Sequence, residues 1–191
     1  MPADLPLLEF PDRDAWAAWL REHGESSAGV WLRLARKGGG TRTVTYADAV
    51  EVALCHGWID GQARRIDERH WRQRFTPRTP RSRWSKRNRD RAEKLIASGE
   101  MAPAGLREVG AARADGRWDA AYDSPATAEV PPDLQAALDA DPAAREFFAG
   151  LDRANRYAIL YRLQEARRPE TRARRLEKFV AMLREGKRIH D

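Results

Sequence analysis

Between Cys55 and Asn88 the chain sets Trp58, Asp60, Arg64, Arg65, Asp67, Arg72, Arg74, Arg78 and Trp84 within 27 residues. Guanidinium groups at that density beside indoles suit the capture of anions. The planar fork of arginine makes paired hydrogen bonds to carboxylate or phosphate, and an indole offers a flat wall to a ring or a cation. Arg72, Arg74 and Arg78 are the candidates for gripping an anion, and Trp58 and Trp84 the candidate walls. Asp60 stands four residues before Arg64. A carboxylate held beside guanidinium groups stays ionised, because a close opposite charge lowers its pKa, so Asp60 suits orienting an arginine or accepting a hydrogen bond from a ligand. Each residue also has a plainer role: core packing for an indole with its N–H on backbone, turn stabilisation for the aspartate.

The charge distribution agrees with that focus. The net charge is +6, yet residues 62–94 hold 13 Lys+Arg against 4 Asp+Glu, leaving 22 basic and 25 acidic residues elsewhere. A local positive field concentrates phosphates, carboxylates or nucleic-acid backbone. Arg outnumbers Lys 30 to 5, so compositional bias and a solvated surface are the alternative origin of the run.

Other chemistries find less support. Cys55 and His56 are adjacent and leave a helix end in different directions, whereas a catalytic Cys–His pair normally converges from distant positions. A helix-face cysteine is more simply a small hydrophobe, and His56 before Gly57 a helix C-terminal residue whose positive form favours the dipole. The lone cysteine excludes an intramolecular disulfide, and the four histidines show no metal-ligand spacing, so neither metal nor cofactor is expected. No phosphate-binding glycine loop, dinucleotide fingerprint or nucleophile elbow is present. The TRARR run at 171–175 reads as part of a helical hairpin rather than a recognition helix. No apolar run reaches membrane-spanning length and the N-terminus lacks a signal-peptide pattern, so a cytoplasmic protein with no membrane insertion is expected.

The elements that must position these residues are legible from periodicity. Asp12 or Asp14 caps a helix with Trp16, Trp19, Leu20 and His23 on one face, stopped by Gly24. Residues 29–37 alternate Val30, Leu32, Leu34 against Trp31, Arg33, Ala35, a half-buried strand running into a loop at Gly38–Gly40. Thr45 with Asp48 resembles a capping box opening a second helix, closed by Gly57. From Trp58 to Phe75 the pattern is strand-like, with Gly61 as a bulge and Glu68–Arg69 as a turn. In it Trp71, Gln73 and Phe75 face one side and Arg72, Arg74 and Thr76 the other. Ser85 fits the N-cap of a helix through Ala97, and Pro103 opens another. After a loop at 117–134 the pattern is helical over 132–140, 142–151, 155–166 and 170–185. The fold class expected is α+β: a small, mainly antiparallel sheet from residues 29–37 and 57–76, covered by helices. It spans 1–127, with a C-terminal helical subdomain at 128–191.

The strings ALCHGWIDGQARRID, RFTPR, SRWSKRN, AEKLIASGEM, GRWDAAYDSP and EARRPETRARRLEKFVAMLREGKR resemble the YdeI/OmpD-associated family, linked by name with bacteriocin protection. The resemblance runs through nearly the whole chain, and the part from about Val130 onward is similar to the OmdA module. It implies a bacterial, intracellular protein and carries no catalytic residue. What it transfers is emphasis on Gly57–Gly61, on Arg74 to Arg78, and on Trp84, Ser85 and Asn88. It also argues against His70 as a base, since related chains vary at that position. The resulting expectation is a bacteriocin-protection or stress-tolerance protein that binds a small anionic or aromatic ligand in a Trp/Arg-lined pocket. Its site residues are Trp58, Asp60, Arg64, Arg74, Thr76, Arg78, Trp84, Ser85 and Asn88. Two alternatives stand beside it: an enzyme using Asp60 or His56 as acid or base, and a nucleic-acid binder using the 62–94 segment.

Overall fold

The computed structural model describes residues 5–36, 42–166 and 168–190, so the expected Gly38–Gly40 loop lies outside the described residues. Compact grouping divides the chain into a first unit, residues 1–84 with 88–121, and a second, residues 85–87 with 122–191.

In the first unit β1 (Leu7–Leu8) precedes α1 (Arg13–His23), whose N-terminus is capped by the Asp12 side chain accepting from the Ala15 N–H. Then follow β2 (Val30–Ala35) and α2 (Tyr46–Cys55), the latter opened by Thr45, whose hydroxyl accepts from the Asp48 N–H. Gly57 ends α2 with φ 75°, and a Cβ there would stand 3.0 Å from the Ala104 carbonyl oxygen, so both backbone angle and space require glycine. The strands β3 (Trp58–Arg65) and β4 (His70–Pro77) form a hairpin whose turn is held by the Asp67 carboxylate accepting from the Arg69 and His70 N–H groups. α3 (Lys86–Ala97) and α4 (Pro103–Ala114) complete the order up to the second unit.

The sheet order is β1-β2-β4-β3, antiparallel except for β1 alongside β2. The α+β class with a mainly antiparallel sheet is therefore observed, with a parallel edge strand the periodicity did not announce. The expected irregularity at Gly61 is a register shift between Asp60 and Ala63. One face of the sheet is mostly apolar. Val30, Leu32, Leu34, Trp58 and Phe75 join Trp16 and Leu20 of α1 and Ala49, Val50 and Ala53 of α2 in one core. A second core gathers Leu54, Cys55, Trp84, Leu95, Val109 and Trp118.

The second unit contains α5 (Pro132–Asp139), α6 (Pro142–Ala149), α7 (Arg153–Glu165) and α8 (Pro169–Arg184) around Leu134, Leu138, Phe148, Ile159, Leu163, Phe179 and Leu183. Asp141 and Asp152 cap α6 and α7, and Arg172 of α8 grips Asp133 of α5 through both carboxylate oxygens at 2.6 and 2.8 Å. Among the described residues no helix is long and apolar enough to cross a membrane.

Candidate functional site

The two tryptophans expected to wall a pocket are sealed in separate cores. Trp58 follows a buried helix end, is 2 % exposed, donates its indole N–H to the Gly24 carbonyl at 3.1 Å, and meets Trp16 and Trp19 edge-on at 6.1 and 5.9 Å. Trp84, 1 % exposed, packs against Trp118 at 4.9 Å in the second core. They do not share a hollow, because each indole gains more from ring-edge contacts and burial than from a place at the surface. Arg78 is also buried, stacked 3.7 Å above the Trp84 ring with Nη1 donating to the Arg83 carbonyl, and its own N–H donates to the Gly57 carbonyl. It braces the segment after β4. Asp60 lies on the helix-covered face and accepts from the Tyr46 hydroxyl at 2.7 Å. Among the described residues it has no ion pair with an arginine. Ser85 pairs in a bridge with Tyr122 and groups with the second unit, while Asn88, half-buried on α3, groups with the first.

Arg64, Arg74 and Thr76 do come together, on the second face of the sheet. Strand alternation and register give that face Trp31 and Arg33 from β2, Arg72, Arg74 and Thr76 from β4, and Arg64 from β3. Arg33 opposes Arg72, Arg72 opposes Arg64, and Trp31 opposes Arg74. Three arginines thus stand side by side across three strands. The Arg72 and Arg64 guanidiniums lie over the Trp31 ring, 4.6 and 5.6 Å from its centroid, and leave it 9 % exposed. Trp31 and Arg72 complete this cluster. Trp31 was marked in the sequence only by standing on the polar phase of its strand, next to Arg33.

Like charges directly opposed in neighbouring strands destabilise a sheet unless they are neutralised. Arg33 is neutralised: it meets Glu9 at 3.4 Å and Asp67 at 3.9 Å, and its Nη2 contacts the His70 ring at 3.1 Å. Arg64, Arg72 and Arg74 have no carboxylate within ion-pair distance among the described residues. Arg74 lies along Gly61, where a Cβ would come within 3.2 Å of its Nε, and that buried Nε has no hydrogen-bond partner among the described residues. Near the far end of the hairpin a cavity of about 290 Å³ is lined by Arg36, Ala63, Arg64, Arg65 and Trp71.

The groups weighed for acid–base or nucleophilic work are set differently. Burial, reinforced by Glu51 and Glu100, pushes the Cys55 thiol up to about 11, so it stays protonated and unreactive at neutral pH. Burial and then Arg21 hold His56 below the usual histidine range, which works against the positive form that a helix C-terminus favours. Although desolvation works to raise it, the N–H groups of Arg69 and His70 and the His70 ring hold the Asp67 carboxyl below its usual range. Among the described residues no cluster of three His, Cys, Asp or Glu is disposed to hold a metal ion.

Residues 8–108 match the family model described as domain of unknown function DUF8412, and residues 127–186 match the one described as bacteriocin-protection, YdeI or OmpD-associated. The strings around Trp58 and Arg74 therefore fall under the first model and the C-terminal helices under the second. No curated protein and no solved structure matches the chain.

Proposed function

The chain belongs to the DUF8412 family through residues 8–108 and carries the YdeI/OmpD-associated, OmdA domain at 127–186, and from that premise we propose that its sheet binds a small anion bearing an aromatic ring. The ligand takes its place on Arg64, Arg72, Arg74 and Trp31, with Thr76 supplying a hydroxyl. The observation that carries this reading is the set of three arginines without carboxylate partners among the described residues, two of them in register and laid over one indole. A phosphate or carboxylate between Arg64 and Arg72 removes their repulsion and gains charge-assisted hydrogen bonds. The ring of the ligand replaces a guanidinium on Trp31, exchanging one π contact for another. The second matched family is described by bacteriocin protection, and a protective role is the setting we propose for this binding.

A second reading rests on the same face, since arginines interleaved with an aromatic on a sheet also suit single-stranded nucleic acid. Calorimetric titration separates them, using phenyl phosphate, inorganic phosphate, phenol and a short oligothymidylate. Phenyl phosphate should bind more tightly than either of its halves, and Arg72→Ala should abolish the binding. Oligothymidylate binding that falls steeply with salt, without phenyl phosphate binding, supports the second reading. Full retention in Arg72→Ala overturns both.

A further inference from the structure

We propose that the second unit holds a separate site for a soluble amphipathic anion, an aliphatic or aryl body ending in a carboxylate or sulfonate. Its basis is a cavity of about 710 Å³ formed within that unit. Ala154, Tyr157 and Ala158, at i, i+3 and i+4 on α7, form one wall, away from the Ile159 and Leu163 stripe that faces the core. Pro125 and Ala126 form another. The Tyr157 ring is fixed by its hydroxyl, which donates to the Asp123 carbonyl at 2.8 Å. The lining is mostly apolar and its volume is that of sites for compact organic ligands.

The polar members of the lining set the sign of the ligand. Arg87, Arg153 and His190 border the cavity, and among the described residues no acidic side chain does. Neither Arg87 nor Arg153 has a carboxylate partner among the described residues; the Arg153 Nε donates to the Pro125 carbonyl at 3.4 Å. His190 is fixed in position from below. The buried Asn155 accepts from the Ile189 and His190 N–H groups at 3.0 and 2.8 Å and donates to the His190 carbonyl at 3.1 Å. An apolar body in the cavity therefore presents its headgroup to two guanidiniums that meet no carboxylate among the described residues. A cationic amphiphile meets repulsion there, and a neutral one leaves both guanidiniums without a counter-charge.

The test titrates the full chain with decanoate, decanol and decyltrimethylammonium, and measures sedimentation with phosphatidylglycerol vesicles. Saturable decanoate binding, one per chain, is expected, with decanol weaker and decyltrimethylammonium absent. Ala154→Trp, at an exposed position, should fill the cavity and abolish binding. Arg153→Glu should weaken binding by about tenfold or more. Glutamate is favoured in the first turn of α7, so this variant should melt like the native chain. Arg72→Ala on the sheet should leave decanoate binding unchanged, which keeps this site distinct from the proposed sheet site. Retention of binding in both Ala154→Trp and Arg153→Glu, equal binding of the cationic amphiphile, or vesicle association that decanoate does not displace would each overturn the proposal.

Discussion

Replacing Trp58 by phenylalanine separates a tryptophan that holds the fold from one that meets a ligand. Trp58 is 2 % exposed, donates to the Gly24 carbonyl at 3.1 Å, and presents its edge or face to two further indoles. Phenylalanine keeps a ring in the core but loses the N–H, which costs about 1 kcal/mol. The smaller ring also vacates part of a close-packed volume, for a further cost of about 1–2 kcal/mol. The total of about 2–3 kcal/mol corresponds to a fall in melting temperature of roughly 4–12 °C for a chain of this size. Circular dichroism on heating reads the loss, and titration with phenyl phosphate on the same sample reads the site. The expected pair of results is lowered stability with unchanged affinity. Unchanged melting together with about a tenfold loss of affinity would refute this assignment and return Trp58 to the binding surface.

Other substitutions probe the remaining assignments. Gly61→Ala places a methyl against the Arg74 side chain; it should weaken phenyl phosphate binding severalfold while lowering stability by less than about 1 kcal/mol, and equal affinity would show that Arg74 need not lie along β3. Ellman's reagent at pH 8 should leave native Cys55 unmodified and react fully in urea. Because the folded thiol is raised to about 11 from 9.0, its contribution to stability is complete below pH 9 and is lost as pH rises through 11; rapid native labelling would contradict this. Arg172→Met removes the hydrogen bonds and charge that hold Asp133 below its usual value, costing about 0.5–1 kcal/mol at neutral pH for this partly exposed pair. The depressed Asp133 stabilises above 3.8 and loses that contribution as pH falls through its folded value, so native and variant melting should converge in acid. A difference that persists unchanged to pH 2 would rule the ion pair out as its source.

Much of the framework was legible because its signals are local. Asp12 and Thr45 cap as their side chains dictate, Gly57 ends α2 where φ turns positive, and the β4 alternation separates Phe75 from Arg74 as its period requires. β1 was not legible, because two residues, Leu7 and Leu8, are strand only through backbone pairing with Trp31 and Leu32. The candidate site was half legible. The density of Arg64, Arg72 and Arg74 could be read from the sequence, but the row Arg33–Arg72–Arg64 depends on register across three strands, which no single segment encodes. Composition likewise could not sort the tryptophans. Trp31 lies on the polar phase of β2 and ends beneath arginines from other strands, whereas Trp58 follows a buried helix and is drawn into its core.

The most direct test of the sheet site follows the arginine Nε–Hε signals of the full chain by nuclear magnetic resonance while phenyl phosphate is added. Saturable shifts of Arg64, Arg72 and Arg74, with Arg78 unmoved in its stack on Trp84, are the expected result. Saturation without movement of those three signals, or movement centred on Arg78, would contradict it.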